Sequence, residues 1–342
     1  MTNDWVLLGS KIRGMRLLGL TLIIQIFLTG CNSEICREDV LTVQPESIEI
    51  IRTESELFES AAVEEVMDYF QKYPRLATYF WHSYQYPNDT VLASRVFELI
   101  RQPGVDTVFQ ESINAYEQMD DVAKDLGAAF GRLRAIYPEA RVPEVYSAVT
   151  VFYNDLLVSD SLIIIGLDHF IGPDASYAPQ DIPAYILKRY DKAHLAAIIM
   201  QFVSGYYVKA GDKSTLLSDM IDFGKSYYLT SRLLPCTPDS LIIGYSPENM
   251  TDIRANQEII WANFVENQLL YETDHIQKRK FLSERPNVYE IGERCPGRIG
   301  AWVGWEIVES YMANNDVSIR ELIEDTDHHK LFERAGYKPQ NQ

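Results

Sequence analysis

Few side chains in this chain are spaced for chemistry. Asp168 and His169 stand together, directly after the apolar run SLIIIGL and before Gly172-Pro173-Asp174. A carboxylate beside an imidazole can exchange protons, and the loop after a strand is where side chains commonly reach a ligand. The plainer role for the pair is a capping Asp and a hydrogen-bonded His that organise a turn. His194 lies alone in the apolar stretch YDKAHLAAIIMQFVSGYYV, where a hydrogen-bonded core histidine is expected. His328 and His329 are adjacent, and neighbours on a helix point about 100° apart, so they cannot face one metal ion from that helix alone. The GPDASY segment lacks the alternating carboxylates of a calcium loop. No Cys/His cluster has zinc spacing, and no GxSxG, Walker or GxGxxG pattern is present. No motif asks for a metal or a cofactor.

The elements that position these residues read as one α+β domain over 47–342, predominantly helical, with a small mixed sheet in the N-terminal half and helices in the second half. SIEIIR (47–52) alternates like a strand. Thr53 and Glu56 have the spacing of a capping box for a helix that Pro74 ends. LASRVFELIRQP gives a second helix, and the apolar spacing over 107–136 predicts one long amphipathic helix. VYSAVTVF and SLIIIGLDHF read as strands, with Asn154-Asp155 as a hairpin turn between them. The second of these is continuously apolar, as a strand covered on both faces must be. The stretch around His194 is a buried helix. Further helices are expected over 213–234, 251–271, 297–313 and 318–334, with DSLIIGY as a short strand. No internal repeat and no linker rich in Pro, Gly or Ser divides this region.

Two other segments each support a packing role and a binding role. In RIGAWVGWEIVESYM, Gly300 and Gly304 stand four apart, a spacing that lets another backbone come close. Trp302, Val303 and Trp305 cannot all face one way, so this helix packs on several sides. Alternatively, Arg298, Trp302, Trp305 and Glu306 line a cleft. In YFWHSYQYP (79–87), Tyr79, Trp81 and their neighbours could stack on sugar rings or could be core residues with polar tips.

The N-terminus carries the strongest local signal. The apolar run from Leu17 to Leu28 is too short for a membrane-crossing helix, which needs roughly 20 apolar residues. Lys11, Arg13 and Arg16 precede it, as in a signal peptide, and Met15 is an alternative start. Leu28-Thr29-Gly30-Cys31 resembles the bacterial lipobox. That resemblance implies removal of residues 1–30, acylation of Cys31 with a palmitate-type chain, and a polar tether over 31–46. Two or more acyl chains would anchor the protein stably. The formal charge is −18, and losing the basic leader makes the remainder more acidic. Such a surface argues against nucleic acid as a partner and leaves the membrane to be reached through the N-terminal lipid. In an oxidising compartment one disulfide is expected, with Cys236–Cys295 as the favoured pair.

Four blocks together carry a wider resemblance: GLDHFIGPD (166–174), DFGKSYYLTSRLLPCTPDSLIIGYSPEN (222–249), EIIWANFVENQLLYETD (258–274) and PGRIGAWVGWEIVESYM (296–312). They resemble the gliding-motility lipoprotein family of Bacteroidetes called GldB. The resemblance implies a lipoprotein anchored in the cell envelope, with a non-enzymatic assembly or support role through an envelope protein partner or a cell-wall ligand. Asn32 and Ser33 follow the cysteine with no Asp at the second position, which favours the outer membrane over the inner. The element order also resembles the layout of zincin metallopeptidases, but the His-Glu-x-x-His motif is missing: Leu195 follows His194, and Ile198 stands four places on. Glu258 could occupy the place of a third ligand. A diverged hydrolase with a non-standard site built from Asp168, His169, His194 and Glu258 is therefore a second expectation. A glycan-binding lipoprotein using exposed Tyr and Trp is a third.

Overall fold

The structure is a computed structural model that describes residues 36, 37, 41 and 43–339 apart from 213. The signal segment and Cys31 lie outside the described residues. The chain divides into Met1–Cys36 and Arg37–Gln342, and every element below belongs to the second unit.

A four-stranded sheet has the order β1-β2-β4-β3, from β1 (Ile50–Arg52), β2 (Glu144–Ala148), β3 (Leu156–Val158) and β4 (Leu162–Gly166). β1, β2 and β4 run parallel, with Ile50 opposite Val145 and Val145 opposite Ile163. β3 is the antiparallel edge strand, with Leu157 opposite Ile164. All five residues of β4 are buried, as its unbroken apolar run requires. Ile163 and Ile165 face the main core, while Leu162 and Ile164 face a smaller second core. The sheet is thus a partition between two apolar layers, which is why β4 cannot show alternation.

The smaller core is built mainly by α1 (Glu54–Phe58), α2 (Val63–Lys72), α3 (Pro74–Tyr79) and α4 (Asp89–Leu99). Next come α5 (Val105–Ala115) and α6 (Asp120–Ile136), then, after the sheet, α7 (Ala184–Leu187), α8 (Lys192–Tyr207), α9 (Leu216–Leu233), α10 (Asp239–Ile243), α11 (Pro247–Ala255), α12 (Gln257–Glu266) and α13 (His275–Leu282). α14 (Ile299–Asn314), α15 (Ile319–Glu324) and α16 (His328–Ala335) close the chain. The α+β class, predominantly helical, is as the sequence implies. Among the described residues no helix is long and apolar enough to cross a membrane.

Several local expectations are corrected. The helix over 107–136 is two helices, because Tyr116 and Met119 turn into the core and the Tyr116 hydroxyl donates to the Phe170 carbonyl at 2.8 Å. Thr53 makes no side-chain cap. Its hydroxyl is engaged with the Ser147 carbonyl (2.8 Å) and the Tyr69 hydroxyl (2.9 Å), and Glu54 rather than Glu56 accepts the Thr53 N–H. Pro74 does stop one helix, but it also opens the next at its first turn, where its missing N–H costs nothing. The Asn154-Asp155 turn does not join β2 to β4, which are parallel; the reversal falls after β3, where Ser159 N–H donates to Leu162 O at 2.9 Å. DSLIIGY is helical, ended by Gly244 at φ 69°, the left-handed conformation that glycine supplies at little cost. The 251–271 helix breaks at Asn256, and the 318–334 helix breaks between Glu324 and His328. The favoured disulfide is also overturned: Cys295 is a buried free thiol, whereas Cys36 and Cys236 are each disulfide-bonded.

The tightest helix pair is α9 against α14. A Cβ on Gly304 would fall 1.7 Å from the Met220 carbonyl oxygen, and one on Gly224 would fall 2.2 Å from the Gly304 carbonyl oxygen. The Gly300/Gly304 spacing thus serves close packing, through Gly304 above all.

Candidate functional site

α8 is apolar around most of its circumference, yet one stripe of it is not covered. His194, Ile198, Gln201, Phe202, Gly205 and Tyr206 share that face and form one wall of a groove of about 660 Å³. Phe223, Ser226 and Tyr227 of α9 and Leu241 to Ile243 of α10 form the other. Phe202 (55% exposed), Tyr206 (64%) and Phe223 (41%) stand at its rim. Exposed apolar groups gathered along one concavity are what a binding surface shows, whereas scattered ones carry no such meaning.

The groove has charge at one end. Arg298 begins α14 from the left-handed region, φ 61°. Its Nη1 donates to the Tyr227 hydroxyl at 2.8 Å, its Nε lies 2.9 Å from Glu284 Oε1, and its guanidinium sits 5.3 Å from the centre of the Tyr245 ring. Arg189 Nη2 donates to the same Glu284 oxygen at 2.5 Å. Burial works against the charge on Arg298, but Tyr227, Tyr245 and Glu284 outweigh it and hold the pKa above its ordinary value. Two guanidinium groups thus share one carboxylate. The local excess is positive, inside a chain of formal charge −18.

Behind the groove, Asp222 meets a buried cluster. His328 Nε2 lies 3.1 Å from Asp222 Oδ1 and 3.0 Å from Lys225 Nζ, and His328 Nδ1 lies 2.8 Å from Ser218 Oγ. This has the composition of a serine-histidine-aspartate set, but Ser218 is only 3% exposed, and neither it nor His328 lines the groove. Burial pushes Asp222 up to about 6 and pulls Lys225 down to about 8. Burial, then Lys225, brings His328 down to about 4. The cluster fastens α16 to α9.

A second cavity, of about 510 Å³, opens at the carboxyl ends of β2 and β4. Asp168 does not line it. Its carboxylate is buried and accepts the N–H groups of Thr150 (3.1 Å) and Phe152 (2.5 Å), as the turn-organising role predicts. It thereby holds Val151 (φ 55°) and Phe152 (φ 63°) in the left-handed region, where a β-branched residue such as Val151 is strained. His169 does line the cavity. It is 7% exposed, and its Nδ1 has no hydrogen-bond partner; the nearest carboxylate oxygen, Asp168 Oδ2, is 3.7 Å away.

The structure therefore separates the residues that the hydrolase expectation would have joined. His194 is on the groove, bonded through Nδ1 to the Asp191 helix cap at 2.7 Å. His169 is on the other cavity, Asp168 is inside a turn, and Glu258 is exposed on α12 without lining either. Among the described residues no group of His, Cys, Asp and Glu is arranged to hold a metal ion. Of the suggested cleft residues, only Arg298 lines the groove. Trp302 is in the core, and Trp305 is buried against Tyr227 with its Nε1 donating to Glu309 at 3.2 Å. Trp81 is likewise buried, 3% exposed, whereas Tyr79 (53%) and Tyr84 (69%) are outward. Arg189, Glu284, Phe202, Tyr206 and Phe223 were not legible as site residues. The one available hint was an aromatic pair, Phe202 and Tyr206, four apart on a helix that is apolar around most of its circumference.

Comparison with known proteins gives one family match. A family model described as gliding motility protein GldB matches residues 35–339. No curated protein and no solved structure matches, so the likeness to zincin metallopeptidases has no support.

Proposed function

The chain belongs to the family of gliding motility protein GldB, and on that premise we propose that it is a cell-envelope lipoprotein with a non-enzymatic, partner-binding role. Cys31 carries the anchoring lipid, and the outer membrane is the favoured site. The body receives a segment of an envelope protein in the groove along α8. A single observation carries this reading: an open apolar groove rimmed by exposed Phe202, Tyr206 and Phe223 ends at the Arg189–Glu284–Arg298 cluster. Its chemistry fits an apolar segment that bears a carboxylate. The apolar residues leave water at roughly 25 cal/mol per Å² buried. The carboxylate meets guanidinium groups able to bind it bidentately.

The test uses the source organism. A photo-cross-linking residue at Phe202 should capture one envelope protein that the same residue at exposed Tyr289 does not. A Phe202→Glu variant present at normal level should lose colony spreading. Wild-type spreading by that variant would remove the groove from the function. Full rescue of a deletion strain by Cys31→Ala would remove the anchor.

A further inference from the structure

The cavity beside His169 has features that the groove does not share. It opens at the carboxyl ends of parallel strands, where open sheets collect ligands. Neither Lys nor Arg lines it, so a phosphate or carboxylate would find no counter-charge. Its acids do not make it a cation trap either. Both oxygens of Asp155 already accept hydrogen bonds, from Leu156 N–H (2.7 Å) and the Tyr190 hydroxyl (2.9 Å), and Asp181 is exposed to water. The ligand this lining suits is polar and uncharged.

The strained turn sets the aromatic part of the wall. Val151 and Phe152 are two of the five non-glycine residues at positive φ among the described residues, and His82 (φ 51°) is a third. Left-handed conformations at such residues cluster at ligand sites. Here they place Tyr153, 43% exposed, at the cavity mouth. Its inner face is stacked on Trp81, with ring centroids 5.9 Å apart, and His82 abuts it at 5.7 Å with Nδ1 3.2 Å from the Tyr153 hydroxyl. Tyr84 continues the row from His82 at 5.8 Å. Tyr153 is thus a backed, oriented ring rather than a loose surface tyrosine. On the polar side, burial lowers the His169 pKa. The imidazole is then neutral, with one donor and one acceptor; its Nδ1 is enclosed on the Asp168 side, 3.7 Å from Oδ2, so Nε2 is the nitrogen left to meet a ligand in the cavity that His169 lines. A hydroxyl group can donate to or accept from that nitrogen, whichever tautomer is present.

We propose that this cavity binds one unit of an uncharged saccharide, with the sugar ring face on Tyr153 and a hydroxyl on His169. A lipid-anchored body would thereby hold a glycan at a site separate from the groove.

The experiment uses the full chain in detergent and two soluble probes, the hexamers of N-acetylglucosamine and of glucose. Binding is followed by calorimetry and by the Trp81-sensitive fluorescence. At least one hexamer should bind. Tyr153→Ala and His169→Leu should each weaken it about tenfold, the scale of a lost aromatic contact or hydrogen bond. His169→Gln, which keeps a donor and an acceptor, should restore most of the affinity, a recovery that a merely structural histidine would not give. Phe202→Ala in the groove should leave saccharide binding unchanged. The proposal is overturned if neither hexamer binds, if folded Tyr153→Ala and His169→Leu bind as wild type does, or if Phe202→Ala abolishes binding. Tight binding of trilysine with no binding of either sugar would equally overturn it, in favour of a cation site.

Discussion

Replacing Gly304 by alanine should destabilise the fold far more than replacing Gly300, although the two glycines share one helix. At Gly304 the new methyl would lie 1.7 Å from the Met220 carbonyl oxygen and 2.4 Å from its carbon. Carbon and oxygen need roughly twice that separation, so α9 and α14 must part by about 1.5 Å. Backbone cannot rotate away as a side-chain end can. A gap of even 0.5–1 Å forfeits a quarter to a half of each affected dispersion contact, and this seam includes buried Met220, Ile221, Val303 and Ile307. Overpacking typically costs about 1–3 kcal/mol, more where the obstacle is rigid. Alanine returns about 1 kcal/mol through helix propensity. Taking the upper end of the overpacking range, because the obstacle is backbone, the net expectation is a loss of about 2 kcal/mol. At Gly300 the nearest atoms are Leu282 Cδ2 and the Phe281 carbonyl oxygen, both at 3.2 Å, so a shift of a few tenths of an ångström suffices. That variant should stay within about 1 kcal/mol of wild type. Urea unfolding followed by far-ultraviolet circular dichroism reads both. Equal midpoints for the two variants would refute the close-approach account of this helix pair.

Three further outcomes follow from buried groups. Lys225 is held near 8 when folded, against an ordinary 10.5; the unfolded chain binds the extra proton between those values, so stability should rise with pH there. Relative to Lys225→Met, wild type should gain about 2 kcal/mol between roughly pH 8 and 9.5 in urea titrations; parallel curves would count against it. Glu306, raised to about 7 by burial and then by Glu309, acts in the opposite sense, since the folded state holds the proton between its ordinary value and about 7. Glu306→Gln should therefore stabilise the protein by about 2–3 kcal/mol at pH 8 and lose that advantage near pH 4.5; no gain at pH 8 would contradict it. Burial pushes the Cys295 thiol up to about 12, so thiol reagents at pH 8 should not label it in the native chain. After denaturation without reductant, one reactive thiol is expected if Cys31 is acylated and two if it is not.

Features that depend on short-range pattern were settled by the order of residues alone. The unbroken SLIIIG run reads as a strand covered on both faces, and β4 is one. The Gly300/Gly304 spacing pointed to a close backbone approach as one of two readings, and Met220 provides it at Gly304. The four blocks that resemble the GldB family pointed to the family the chain belongs to. Packing settled the rest, because local periodicity carries no information about which distant residues meet. β2 and β4 run parallel, with β3 set on the far edge, a choice invisible in two similar apolar runs. Cys295 matched any cysteine in spacing, but its burial as a free thiol is a matter of packing. Arg189, Glu284 and Arg298 come from three separate segments and form a cluster only once α14 docks. α8 shows the limit most plainly. A helix apolar around most of its circumference has little direction written into it, and the elements packed around it determine that Phe202 and Tyr206 are on the side left open.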